Sequence, residues 1–128
     1  MGQLRDTLKD AIAQVWEALG PGHSEAVYQA ALKIELDFSI DVIHLSSGGV
    51  LSISYKGYKV GHCVLDLTFE TETGNLCILE LKATKALRDD DALQLARYMR
   101  LAPSVGGTVG YLINFGGLEP ELKQVVSV

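Results

Sequence analysis

The sequence predicts one α/β (α+β) domain in which helices flank a mixed sheet. Three observations carry that expectation. Apolar residues recur at helical spacing up to Ile34, the period changes to two from Val50, and a helical stretch after Lys82 leads into a further buried strand. With 128 residues, 48% of them hydrophobic, the chain is the size of a single ordinary domain, residues 1–128, able to bury a core without disulfide or metal staples.

Leu4, Leu8, Ala11, Ile12, Val15 and Leu19 are spaced by three and four and predict an amphipathic helix over about 3–19, which Gly20, Pro21 and Gly22 stop. A second helix is expected from Ser24, whose hydroxyl suits the N-cap. Val27, Ala30, Ala31 and Ile34 form its apolar stripe, with Glu25, Tyr28 and Gln29 on the other side. Residues 38–49 give the weakest signal. Leu51, Ile53 and Tyr55 alternate with serines, and Lys56-Gly57 offers a tight hairpin turn. The next strand, about 59–70, places Cys63, Leu65, Leu67 and Phe69 on one face and His62, Asp66, Thr68 and Glu70 on the other. After a turn at Glu72-Thr73-Gly74, a strand over about 76–83 directs Cys77, Leu79, Leu81 and Ala83 one way and Glu80 and Lys82 the other, completing a predicted three-stranded antiparallel meander. Asp89, Asp90 and Asp91 suit the amino end of a helix over about 91–102, packed through Ala92, Leu95, Ala96 and Met99. Thr108–Phe115 reads as a buried strand reached by a right-handed parallel crossover. A short final helix over about 118–126 would complete an α, α, β, β, β, α, β, α order.

The totals exclude several function classes. No stretch approaches the roughly 18 apolar residues of a membrane span, and the amino terminus lacks a signal-peptide pattern, so a soluble, cytoplasmic protein is expected. Cys63 and Cys77 have no CxxC spacing and no histidine cluster nearby, which points to reduced, buried thiols and away from zinc or disulfides. His23, His44 and His62 show no ligand spacing. A net charge of −5 argues against tight nonspecific binding to a phosphate backbone.

One constellation carries chemistry. If Glu72–Gly74 form a three-residue loop with Gly74 in the left-handed region, Thr71 pairs with Asn75, and counting back sets Asp66 opposite Glu80. Directly opposed residues have Cβ atoms about 4.5–5.5 Å apart, where like charges repel. A hard divalent cation such as Mg²⁺ or Mn²⁺ removes that repulsion, because it takes one or two carboxylates together with waters and substrate phosphate. The carbonyl of Leu81 is a further candidate ligand. Lys82 would stand beside the ion, able to orient water or neutralise charge on phosphate. The triplet alone also allows a solvent-facing sheet surface on which Lys82 pairs with one of the acids.

Gly22-His23-Ser24-Glu25-Ala26-Val27-Tyr28 resembles the signature of the GxxExxY proteins, which are placed in the PD-(D/E)XK nuclease superfamily. Tyr55-Lys56-Gly57 with Gly61, Leu65-Asp66-Leu67, Leu79-Glu80-Leu81-Lys82-Ala83, Gln94-Leu95 with Tyr98, and Leu112-Ile113-Asn114-Phe115 extend the likeness over about residues 8–126. The resemblance implies a restriction-endonuclease-like core with Mg²⁺- or Mn²⁺-dependent hydrolysis of DNA or RNA. By that likeness Asp66 and Glu80 correspond to the metal-binding acids, Lys82 to the catalytic lysine, Glu25 to a helix-borne acid close enough to join the site, and Gln94 to the polar residue on the following helix. Tyr28 corresponds to a substrate contact or to a packing residue. Leu65 stands in place of proline, and Asp89–Asp91 occupy a region where relatives often carry histidine. A non-catalytic binding or regulatory module with the same fold is the alternative, and a homodimer stays open.

Overall fold

The computed structural model describes residues 2–102 and 106–126. Its elements are α1 (Gly2–Leu19), α2 (Glu25–Asp37), β1 (Ile43–Ser47), β2 (Val50–Tyr55), β3 (Tyr58–Val64), β4 (Leu67–Glu70), β5 (Leu76–Lys82), α3 (Asp89–Leu101), β6 (Thr108–Asn114) and β7 (Glu121–Val125). Five strands form one sheet in the order β1-β4-β5-β6-β7, and β2 and β3 form a separate hairpin. Among the described strands only the β5–β6 pairing is parallel, with α3 as its crossover, as expected. No described helix is long and apolar enough to cross a membrane.

The sheet is covered on both sides. Leu67, Phe69, Cys77, Leu79, Leu81, Tyr111, Ile113 and Phe115 pack against Leu8, Ala11, Ile12 and Val15 of α1 and Tyr28, Leu32 and Leu36 of α2. The opposite face sends Ile78 and Leu112 against Leu95 and Met99 of α3, together with Leu65, Val125 and, from the hairpin, Leu51. At about 1.5–3 kcal/mol for each large side chain removed from water, these two layers hold the sheet between them.

Four expectations are corrected. The stripe of α2 is rotated: Val27 and Ile34 are exposed, and Tyr28, Leu32 and Leu36 are buried, because three large side chains at four-residue spacing seal the sheet better than the smaller Ala30-Ala31 row. The expected meander does not form as one sheet. The strand over 59–70 breaks at Leu65-Asp66, where the Leu65 amide donates to the Gly49 carbonyl (2.8 Å) and the Leu65 carbonyl accepts from Gly48 (3.0 Å). Leu65 therefore enters the α3-side core and Leu67 the α1/α2-side core, which an unbroken two-residue period forbids. The place beside β4 is taken by β1, within the stretch of weakest signal; its bulge between Ile43 and Ser46 turns His44 toward Glu70 (3.1 Å). The final segment is a strand and not a helix, because the buried strand β6 needs a hydrogen-bonding partner on its other edge, and Glu121–Val125 supplies one with Leu122 and Val125 directed to opposite cores.

Other expectations stand. Ser24 caps α2 by accepting from the Val27 amide (3.4 Å). Lys56 (φ 51°) and Gly57 (φ 82°) make the two-residue turn between the paired Tyr55 and Tyr58. At the other turn, Gly74 (φ 85°) sits in the left-handed region and the Thr71 amide donates to the Asn75 carbonyl (2.9 Å).

Candidate functional site

The Gly74 turn sets the register that builds the site. Leu67 pairs with Leu79, Thr68 with Ile78, Phe69 with Cys77 and Glu70 with Leu76, and one step further along the same ladder sets Asp66 opposite Glu80. The chain has left β4 by then, and side chains replace the ladder: the Asp66 amide donates to Glu80 Oε1 (3.3 Å), and the Leu81 amide donates to Asp66 Oδ2 (2.8 Å). The Phe115 amide bonds the Lys82 carbonyl (2.9 Å), so strand alternation turns Lys82 toward β6 and the Leu81 carbonyl toward the open end of β4, on the side of Asp66.

The opposed acids do not lie on a solvent-facing surface. Glu80 shares the α3 face of β5 with Ile78 and is only 6% exposed. Burial first, and the neighbouring Asp66 carboxylate second, push the Glu80 carboxyl from 4.5 up to about 8; the Asp66 amide and the Lys82 ammonium oppose this without cancelling it. The raised value means that burying a charged Glu80 beside Asp66 is unfavourable in the metal-free protein. A divalent cation suits this donor set: it would satisfy two carboxylates that repel when both are charged. Among the described residues no three His, Cys, Asp or Glu side chains come together as a metal cage. The protein would thus supply Asp66, Glu80 and the Leu81 carbonyl, and water and substrate the rest, as is usual for Mg²⁺.

The raised Glu80 value gives a pH prediction for the metal-free protein. A folded-state pKa above the unfolded one contributes stability that is complete below about 4.5 and is lost as the pH rises toward about 8. The slope approaches at most about 1.4 kcal/mol per pH unit for one proton. Urea midpoints in EDTA should therefore fall across that window, and Glu80→Gln should flatten the decline. A wild-type midpoint that rises or stays level would contradict this environment for Glu80.

The other expected site residues are placed unequally. Lys82 is half-buried on the same face as Glu80, and its ammonium lies 3.8 Å from Asp91 Oδ1 instead of pairing with Asp66 or Glu80. Asp91 Oδ2 also accepts from the Arg88 amide (2.8 Å), which fixes the first turn of α3. Asp91, Gln94 and Tyr98 follow at helical spacing on one stripe. Burial, then Glu80, raise the Tyr98 phenol, with Cys63 and Asp66 adding to the effect, and Gln94 is half-buried one turn before it on α3. Glu25 is exposed in the first turn of α2, and among the described residues it forms no three-acid cluster with Asp66 and Glu80, so a part in the site would run through water. Tyr28 is 1% exposed, stacks on Phe115 (4.5 Å between centroids) and donates its hydroxyl to the Gly20 carbonyl (2.7 Å); it is a packing residue and not a substrate contact. Both cysteines are free, but only Cys77 is buried, since the break at Leu65 leaves Cys63 half-exposed at the base of the hairpin.

Three contributors have no role assigned from the sequence, although Tyr98 and Asn114 lie within the resembling motifs. Gln29 Nε2 donates to the Asp66 carbonyl (3.2 Å) and ties α2 to the site; its position directly after the heptad was the available signal. Tyr98 lies one turn beyond Gln94. Asn114, buried next to Lys82 in the sheet, accepts from the Thr84 amide (3.0 Å) and donates to the Thr84 carbonyl (3.0 Å), holding the exit of β5 in place.

No curated protein matches the chain. The sequence model of the PD-(D/E)XK nuclease superfamily matches residues 2–125. That span takes in the two helices ahead of the sheet, the turn that opposes Asp66 to Glu80, and the strand that carries Lys82, and on it the chain belongs to the PD-(D/E)XK nuclease superfamily.

Proposed function

We propose that the chain is a nuclease that hydrolyses phosphodiester bonds in DNA or RNA with Mg²⁺ or Mn²⁺ as cofactor. The observation that carries this reading is the pairing of a buried Glu80 with a half-buried Asp66, an arrangement that costs stability unless a cation is bound, placed beside an ammonium group at the end of a central strand. Asp66, Glu80 and the Leu81 carbonyl hold the ion, which when bound polarises phosphate oxygens and lowers the pKa of water. Gln29 and the Leu81 amide fix Asp66 from two sides, so its carboxylate is oriented before substrate arrives. Lys82 neutralises charge that develops on phosphate, for which it must turn from Asp91. Gln94, which follows Asp91 and precedes Tyr98 on one stripe of α3, positions the phosphate.

One observation favours a second reading. Asp91 both caps α3 and engages Lys82, and in a non-catalytic binding module that contact would simply persist. Calorimetric titration with Mn²⁺, followed by cleavage assays on labelled single- and double-stranded DNA and RNA with Mn²⁺ or EDTA, tests the proposal. Saturable binding of one ion with metal-dependent cleavage is expected. Absence of Mn²⁺ binding would overturn the nuclease reading, and binding without cleavage of any substrate would favour the second.

A further inference from the structure

The net charge of −5 conceals an uneven distribution. Residues 42–65 and 92–118 contain Lys56, Lys59, Arg97 and Arg100 and no acid, so all 16 Asp and Glu lie elsewhere in the chain. The fold brings these two stretches together. The first holds the β2–β3 hairpin and the second the body of α3, and the two pack against each other through Leu51 on the α3 side of the sheet. That is the side on which Glu80 and Lys82 lie. The opposite layer carries Asp6, Asp10, Glu17, Glu25, Glu35 and Asp37 on α1 and α2.

The hairpin tip has the wrong composition for a surface that meets only water. Tyr55 is 62% and Tyr58 76% exposed, with Val60 exposed beside them, and Lys56 Nζ lies 5.4 Å from the centre of the Tyr55 ring. Lys59, Arg97 and Arg100 are exposed as well. The hairpin packs on the α3-side core through Leu51, near its base and the Leu65–Gly49 bond, and its two strands are not part of the five-stranded sheet. Exposed aromatic faces interleaved with cations match an unpaired strand, whose bases are free to stack while its phosphates meet the cations; the bases of a duplex are already stacked on one another.

We propose that the β2–β3 hairpin and the exposed flank of α3 form the surface that holds a single-stranded nucleic acid beside the Asp66–Glu80 pair, with Tyr55 and Tyr58 stacking on bases and Lys56, Lys59, Arg97 and Arg100 contacting phosphates. This rests on the nucleic-acid reading of the site, and it names both the substrate class and the residues that select it. The selecting surface lies on the same side of the sheet as the acids: Leu51 of the hairpin and Leu95 and Met99 of α3 pack with Ile78, which shares its face of β5 with Glu80.

Fluorescence anisotropy with a short fluorescein-labelled oligothymidine, in EDTA so that nothing is cleaved, tests this apart from metal binding. Oligouridine and a duplex of equal length serve as further arms, and melting curves establish that each variant is folded. The double variant Tyr55→Ala/Tyr58→Ala should bind about 10- to 100-fold more weakly than wild type. Lys59→Gln/Arg97→Gln should bind more weakly and lower the salt dependence by about 0.7 per cation removed. Lys9→Gln/Lys33→Gln, on the acidic layer, should stay within about two-fold, and the duplex should bind more weakly than either single strand. Wild type that fails to bind single strands, prefers duplex, or is matched by the tyrosine variant would overturn the proposal. Loss of Mn²⁺ binding with hairpin-dependent strand binding intact would instead remove only the nuclease reading, and Mn²⁺-dependent cleavage that ignores the hairpin would remove only this one.

Discussion

The Asp66→Asn protein will bind Mn²⁺ at least about ten-fold more weakly than wild type, a loss that even partners outside the direct ligands can reach. Without metal it will melt no lower. The two effects separate because Asp66 does two things. Its Oδ2 accepts from the Leu81 amide, and an asparagine carbonyl oxygen can accept there equally. Its charge faces a buried Glu80, and removing that charge relieves a repulsion that contributes nothing to folding. A gain of about 0.5–2 kcal/mol is the usual scale when a site's stored electrostatics are released. Titration with Mn²⁺ beside melting curves in EDTA measures both effects. Unchanged metal affinity, or a clear drop in metal-free stability, would make Asp66 a structural residue.

Lys82→Ala should leave Mn²⁺ affinity nearly unchanged and lower phosphodiester hydrolysis by about 10²–10³-fold, the cost of removing one preorganised group that meets developing charge. The side effect on folding should be small, since a half-buried pair at 3.8 Å contributes about 0–1 kcal/mol. Asp91→Asn is the informative companion. It frees Lys82 from its partner, so hydrolysis should survive or increase. Equal cleavage by wild type and Lys82→Ala would remove Lys82 from the chemistry, and loss of cleavage in Asp91→Asn would mean that the ion pair positions the lysine for its work.

The legible parts of the molecule were those fixed by local rules. A left-handed glycine at position 74 sets a three-residue loop, the loop sets the register, and the register opposes Asp66 to Glu80 before any tertiary contact is considered. The direction of Glu80 and Lys82, away from Leu79 and Leu81, follows from the same alternation. What that alternation could not reveal was the break at Leu65, because the pattern Cys63, Leu65, Leu67, Phe69 is unbroken in sequence, and the cause is a pair of amide–carbonyl bonds to Gly48 and Gly49 far earlier in the chain. Strand β7 was missed for a related reason. Leu118, Leu122 and Val125 have helical spacing, and only the free edge of β6 decides otherwise. Tyr28 was misplaced because a tyrosine among polar neighbours reads as surface, whereas its ring is buried against Phe115 and its hydroxyl finds the Gly20 carbonyl.

The hairpin that opposes the acids also bears on the order in which the chain assembles. Asp66 and Glu80 are 14 residues apart and are joined by a short antiparallel turn, a unit that closes in about 1–10 μs. Thr84 reaches the Asn114 side chain only across 30 residues and a helix, and the parallel pairing of β5 with β6 must first meet a larger loop-closure cost. The carboxylate pair can therefore assemble, and repel, in a transition state where the lysine's surroundings are still unformed. Mn²⁺ added during refolding should accelerate the forward rate, whereas Leu112→Ala, on the late-arriving strand, should act mainly on unfolding.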